Sequence, residues 1–358
     1  MIYLDYQATT PLAPEAREAM LRWLGGPDSD SFGNPHSPHR MGRMAAAAVE
    51  AAREKIAALF PSGGRLIFTS GATEAINLAI RGSGGDGPIA VSAIEHAAVL
   101  DTAQALGRAH VLDVDSEGLC DPAQGLPAGT RLACVMQFNN EIGTIQSTAE
   151  WCAKAKEAGA LYLCDAVQAY GKLAIADADM IAVSAHKLHG PKGVGALWVR
   201  DGVELAEQQT GGGQEGGLRS GTLSPALIAG FGAAAALAQE SMEMDAAHVE
   251  TLWARARELF DGWTLNGSAD CRWHGNLNIR RDGLDVARLM SDCREVMFSA
   301  GSACASGSGR PSHVLKAIGL SDREAKSSIR LGFGRYTTLD EIERAAQQIN
   351  AAAKEQGL

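Results

Sequence analysis

The stretch ADMIAVSAHKLHGPKG, residues 178–193, runs from an unbroken apolar segment into two histidines, a lysine and a turn marked by glycine and proline. A half-exposed strand alternates apolar and polar residues. This segment does not alternate, which suits a strand covered on both faces, as in parallel sheets. Six more runs share its character: LIFTSG (66–71), PIAVSAI (88–94), AHVLDV (109–114), RLACVMQF (131–138), ALYLCDA (160–166) and VGALWVR (194–200). The segments between them are long enough for helices, so the pattern predicts an α/β fold with a mainly parallel, seven-stranded sheet. Helices are expected before it at 13–24 and 40–60, the second rich in alanine.

The rhythm changes near residue 245. A long helix (223–260) leads into NLNIRR, EVMFSA, SSIRLGF and a final helix from about 338. Residues 15–245 are therefore expected to form a large domain. Residues 246–358, with 1–14 returning to them, are expected to form a smaller α+β domain.

Composition bounds the function. The 358 residues are 46% hydrophobic and 21% charged, enough for a sizeable core. A formal charge of −10 with no basic run argues against nucleic-acid and anionic-membrane partners. The opening MIYLDYQATT does not read as a targeting segment, and ALIAGFGAAAALA (226–238) is too short to span a bilayer. Seven cysteines without a CxxC argue against a disulfide framework, so reduced thiols in the cytoplasm are expected.

Chemistry gathers at the predicted strand ends, where open α/β sheets bind ligands. A lysine just past a buried strand, Lys187, is partly desolvated, which favours a nucleophilic amine. The plainer reading is a surface lysine in a turn. In TSGATEAINLAI (69–80), a small-residue turn at Gly71, Ala72 and Thr73 opens a helix and offers N–H groups to a phosphate; an ordinary capped helix is the alternative. Asp165 ends an apolar strand and needs a partner, which a protonated pyridine nitrogen would supply or the next segment's N–H groups would replace. His96 ends another strand, where an imidazole can stack on a planar ring or simply sit satisfied in the core. Together these describe a pyridoxal phosphate site.

The chain resembles the cysteine desulfurases, in the class V group of fold type I pyridoxal phosphate enzymes. The segments that carry the resemblance are YLDYQATTP, FGNPHSPHR, FTSGATEAINLAI, EHAAVLDT, NNEIGT, DAVQAYGK, SAHKLHGPKGVGALWVR, GGGQEGGLRSGT, SAGSACASG and SSIRLGFGR, in the family's order from residue 3 to about 340. The resemblance implies that Lys187 binds the cofactor's aldehyde and Asp165 holds its ring nitrogen protonated. Gln168 would bond the ring's phenolic oxygen, His96 would stack on the ring and move protons, and Ala72, Thr73, Ser184 and His186 would line the phosphate. Asn140 would lie near ring and substrate, Thr222 would reach the phosphate of a partner subunit in a homodimer, and Arg330 assisted by Asn34 would clamp the carboxylate of L-cysteine. Cys304, in the glycine- and serine-rich SAGSACASGSG (299–309), would attack the substrate sulfur and carry it as a persulfide to an acceptor, such as an iron–sulfur scaffold protein. Without the lysine segment, Cys304 reads as an ordinary loop cysteine.

Alternatives within the same cofactor class are a selenocysteine lyase, another lyase or an aminotransferase; outside it, a non-catalytic sulfur-acceptor or scaffold-binding protein. GGGQEG (211–216) matches GxGxxG but lacks the strand and helix of a dinucleotide site. The pairs His36/His39 and His186/His189 lack further ligands nearby, so no metal is expected. Some members of the family that the chain resembles have histidine and arginine where it has Gln214 and Gly216. A C-terminal tail of the kind that helps some desulfurases dock a scaffold is not expected after the final helix, which makes scaffold docking a weaker expectation than desulfuration.

Overall fold

The computed structural model describes residues 1–301 and 311–358. In chain order its first elements are β1 (Ile2–Tyr3), α1 (Pro14–Leu21), α2 (Arg40–Ala57), β2 (Gly64–Thr69), α3 (Ala72–Gly82), β3 (Ile89–Ser92) and α4 (Ala97–Ala105). These are followed by β4 (Ala109–Leu112), β5 (Leu132–Cys134), α5 (Thr148–Glu157), β6 (Leu161–Asp165), β7 (Met180–Ser184), β8 (Gly195–Arg200) and the 35-residue α6 (Pro225–Leu259). Then come β9 (Thr264–Leu265), β10 (Asn276–Arg280), α7 (Val286–Asp292), β11 (Val296–Met297), β12 (Ser299–Ala300), α8 (His313–Ala317), α9 (Asp322–Lys326), β13 (Ser328–Gly332) and α10 (Leu339–Glu355).

Seven strands form one sheet in the order β2-β8-β7-β6-β5-β3-β4. Pairing from β7 to β4 is parallel, whereas β8 runs antiparallel to both neighbours. The sheet is mainly parallel as the apolar runs predict, and its reversed strand leaves no mark in them, because β8 is buried on both faces like the others. One face is covered by α3 and α4, through Ile76, Ala79, Val99 and Ala103. The other is covered by α2, α5 and α6, through Val49, Ile56, Trp151, Phe231 and Ala235. The run 131–138 forms a shorter strand than its composition suggests. After Cys134 the chain turns to the sheet's rim, where the Met136 N–H donates to Glu95 Oε1 at 2.6 Å.

A four-stranded antiparallel sheet, β12-β13-β10-β9, and the parallel pair β1-β11 pack with α7, α10 and the end of α6. Leu252, Phe260, Leu277, Ile279, Leu331, Ile342 and Ile349 make that core, which also takes in Ile2 and Leu4. Helix α10 starts at a capping box in which Thr338 and Glu341 satisfy each other's backbone N–H groups, and it buries Ile342, Ala345, Ala346 and Ile349 along one stripe. No helix of the described residues is long and apolar enough to cross a membrane.

Candidate active site

The chain lays β4 on one side of β3 and β5 on the other. This reversal opens a crevice at the strands' C-terminal ends, where doubly wound sheets bind ligands. A cavity of about 570 Å³ lies there.

Its first wall is the turn before α3. Ser70, Gly71, Ala72 and Thr73 line the cavity, and α3 presents the unsatisfied N–H groups of its first turn. The turn is fixed from both sides: Ser70 N–H donates to Glu74 Oε2 at 2.6 Å, and Arg219 Nε holds Glu74 Oε1 at 2.6 Å. It also sits against β8, since a Cβ on Gly195 would lie 2.8 Å from Gly71 Cα and 2.6 Å from the Val183 carbonyl oxygen. Only glycine allows that approach. Ser184 and His186 line the same cavity, and a Cβ on Gly71 would lie 4.0 Å from Ser184 Oγ. Burial and the amines of Lys187, Lys192 and Lys172 push the His186 imidazole down to about 4, so it is neutral near pH 7.

Lys187 projects from the loop after β7. Its Nζ donates to the carbonyls of Gln7 at 2.5 Å and Ala8 at 2.8 Å. The N-terminal segment and the lysine loop interlock: Thr10 Oγ1 donates to the His186 carbonyl at 3.0 Å and accepts from the His189 N–H at 2.7 Å. His189 Nδ1 meets the Pro11 carbonyl at 2.9 Å, and its backbone sits at φ +68°, a left-handed conformation that these contacts hold in place. Gln168 Nε2 donates to the same Gln7 carbonyl at 3.0 Å while its Oε1 is buried without a partner.

Asp165 ends β6 at the cavity floor. Burial pushes its carboxyl up, against the pull of His96, the Val167 N–H and Lys187. Such a carboxylate gains from any further cation placed on it. His96 caps α4, accepting the Ala98 N–H at Nδ1 at 3.1 Å, so in the neutral ring the proton is on Nε2. Burial lowers its pKa, Asp165 opposes this and Lys187 reinforces it. Glu95 next to it is fully buried, with Oε1 accepting from Ser92 Oγ and the Met136 N–H and Oε2 unpartnered. Burial, with Asp165 nearby, pushes its carboxyl well up, against the Met136 N–H and the Ser92 hydroxyl.

Of the residues expected from sequence, Ala72, Thr73, His96, Asn140, Asp165, Gln168, Ser184, His186 and Lys187 all line this cavity. Three do not. Asn34 is exposed, its Oδ1 accepting the His36 N–H at 2.9 Å. Thr222 is exposed outside the cavity of its own chain. Arg330 is fully buried behind the wall, with Nη1 on the Asn140 carbonyl at 3.1 Å and Nη2 on Asp5 Oδ1 at 2.7 Å. Cys304 lies outside the described residues. Among the described residues, no cluster of histidine, cysteine and carboxylate side chains could hold a metal ion.

Sequence reasoning passed over Gln7 and Ala8, which act through backbone carbonyls, and Glu215. That carboxylate is buried beside Arg53, 2.8 Å from its Nη2, and accepts the Phe68 N–H at 2.7 Å, at φ +51°. It ties the glycine-rich segment leading to Thr222 onto α2 and β2. The only sequence signal was a lone acid among glycines.

The arrangement pairs a helix N-terminus, a lysine amine, a buried carboxylate and a flat imidazole on one cavity. It therefore suits a phosphorylated, planar ring bearing an aldehyde and a basic nitrogen, and the unpartnered Gln168 Oε1 leaves a polar site for the ring's rim. A cysteine desulfurase of Colwellia psychrerythraea, "Cysteine desulfurase IscS", is 40% identical over 98% of this chain and 92% of that protein. The solved structure "NIFS-LIKE PROTEIN" superposes with a TM-score of 0.90 at 30% identity, covering 99% of each chain. "SspA in complex with cysteine" superposes with a TM-score of 0.81 at 35% identity, over 94% of this chain and all of that one (100%). The profile of the family "Aminotransferase class-V" matches residues 2–345, and the chain belongs to that family.

Proposed function

We propose that the protein is a cysteine desulfurase, a pyridoxal 5'-phosphate enzyme that takes sulfur from L-cysteine, releases L-alanine and leaves the sulfur as a persulfide on Cys304. The observation that carries this reading is the convergence of Lys187, Asp165 and the α3 N-terminus on one cavity. The desulfurase relative and the cysteine-bound structural neighbour support the choice of substrate. Lys187 would hold the cofactor's aldehyde carbon, Asp165 its ring nitrogen, Gln168 its phenolic oxygen, and Ala72, Thr73, Ser184 and His186 its phosphate. When bound, the cofactor supplies an electron sink for charge developing at the substrate's Cα.

The chain's own groups do the rest. The Gln7 and Ala8 carbonyls aim Lys187 Nζ into the cavity, where that amine would take the substrate's Cα proton. His96 would stack on the cofactor's ring, with Nδ1 engaged by the Ala98 N–H and Nε2 the atom that would hold or move a proton. Arg330 would anchor the substrate carboxylate with its planar fork once its present partners release it. The Cys304 thiolate attacks the substrate Sγ; the new S–S bond forms as the Cβ–S bond breaks, and Cβ keeps the electron pair and takes a proton to become the methyl group of alanine.

The working unit is a homodimer in which Thr222 reaches the partner's phosphate site; its exposure outside its own cavity supports this. The protein acts in the cytoplasm and passes sulfur to an acceptor such as an iron–sulfur scaffold protein. Borohydride reduction of the purified holoenzyme followed by peptide mapping tests the reading. Fixation of the cofactor on Lys187, with equal release of alanine and sulfide from L-cysteine plus a thiol reductant, is expected. A colourless protein with no modified lysine would sink it.

A further inference from the structure

The guanidinium of Arg330 is closed off from solvent and unevenly satisfied. Nη2 donates to Asp5 Oδ1 at 2.7 Å and Ser299 Oγ at 3.3 Å, Nη1 donates to the Asn140 carbonyl at 3.1 Å, and Nε has no partner. Asn140 lines the active-site cavity, so the Nη1 edge is separated from it by one residue. Asp5 is held in turn by Ser299 Oγ at 2.9 Å. The two members of the pair differ in freedom: the Arg330 side chain is 0% exposed and the Asp5 side chain 21%. A buried cation must keep an anion beside it, whereas a carboxylate at the surface can rehydrate.

We propose that Asp5 is a resident carboxylate that occupies Arg330 in the absence of substrate and competes with the α-carboxylate of the incoming amino acid for that guanidinium. Carboxylate binding then becomes an exchange between anions. Asp5 is a positioning residue that weakens substrate binding and so eases the release of alanine, whose carboxylate leaves as Asp5 returns. The inference rests on the desulfurase reading for the identity of the amino acid, but the exchange itself concerns any α-amino carboxylate.

Asp5→Asn tests it, because the amide oxygen still accepts from Arg330 and Ser299 while the competing charge is gone. Titration calorimetry of the holoenzyme with L-alanine is the primary measurement, with ethylamine, which is alanine without its carboxylate, as the control. With Asp5→Asn, L-alanine is expected to bind on the order of tenfold tighter, while ethylamine binding is unchanged. KM for L-cysteine should fall in parallel. In an Asp5→Asn, Arg330→Gln double variant the gain for L-alanine should vanish. If Asp5 merely braced Arg330, the variant would bind L-alanine more weakly and raise KM. That result, an unchanged affinity, or an equal shift for ethylamine would overturn the proposal. Failure of the desulfurase reading shows separately, as absence of sulfide release by the wild type whatever the alanine affinities are.

Discussion

Acidification should unlock the lysine loop through His189, by an amount that can be worked out from its surroundings. The ring is 7% exposed by residue, packs edge-on against Tyr6 and Tyr336 at centroid distances of 5.9 and 4.9 Å, and meets the Pro11 carbonyl through Nδ1. Burial, reinforced by Arg335, pushes its pKa from 6.5 down to about 4. Protonation must therefore place a charge at Nε2, between aromatic rings. The unfolded chain binds this proton near 6.5, and the folded chain only near 4. Between those values the unfolded state holds more protons, so stability is intact above 6.5, falls as pH drops through the window and levels off below about 4. At pH 4.5 the loss from this one group is about 2.5 kcal/mol. His189→Asn removes the titration, tolerates the left-handed backbone and can donate an amide N–H to Pro11. Urea unfolding of both holoenzymes, followed by tryptophan fluorescence at about pH 7.5 and 4.5, isolates the effect because His186 and all other groups titrate in both. The wild type should lose about 2.5 kcal/mol more than the variant over that interval. Parallel losses would refute the claim that this imidazole is held neutral by its surroundings.

Three further outcomes follow from the same geometry. Lys187→Ala should abolish borohydride fixation of the cofactor and reduce alanine formation by at least about a thousandfold, measured by peptide mapping and single-turnover assay. Asp165→Asn should keep the fold but lower kcat about a hundredfold or more, because an amide cannot hold a proton on a ring nitrogen; the absorption spectrum of the bound cofactor reports that protonation directly. Glu215→Gln removes the buried anion from Arg53 and leaves it only the exposed Glu50, 3.0 Å from its Nε, so thermal unfolding should show a loss of about 2 kcal/mol, with weaker dimerisation in sedimentation if the segment it anchors carries Thr222 to the partner.

Much of this was legible in the chain because burial leaves a compositional trace. Apolar runs ending in Asp165, His96 and Lys187 mark strands that deliver polar groups to one rim, and the small residues 70–73 mark the turn that cradles an anion. Strand direction left no such trace, since β8 reads like its parallel neighbours. Contacts made by main-chain carbonyls are equally silent: nothing in the side chains of Gln7 and Ala8 announces that their oxygens hold Lys187 Nζ. Pairings across long sequence distances, such as Arg53 with Glu215 or Arg330 with Asp5, depend on where a loop meets a distant helix or strand and have no local pattern. Thr222 illustrates a different limit, because a residue that would serve a neighbouring subunit's cavity looks idle in its own.

The most direct test is intact and peptide mass spectrometry of the holoenzyme after incubation with L-cysteine alone. The account predicts one added sulfur atom on the peptide containing Cys304, removed by a thiol reductant, formed together with alanine, and missing in Cys304→Ala. Alanine formed at the wild-type rate by Cys304→Ala, or sulfur found on a different cysteine, would contradict it.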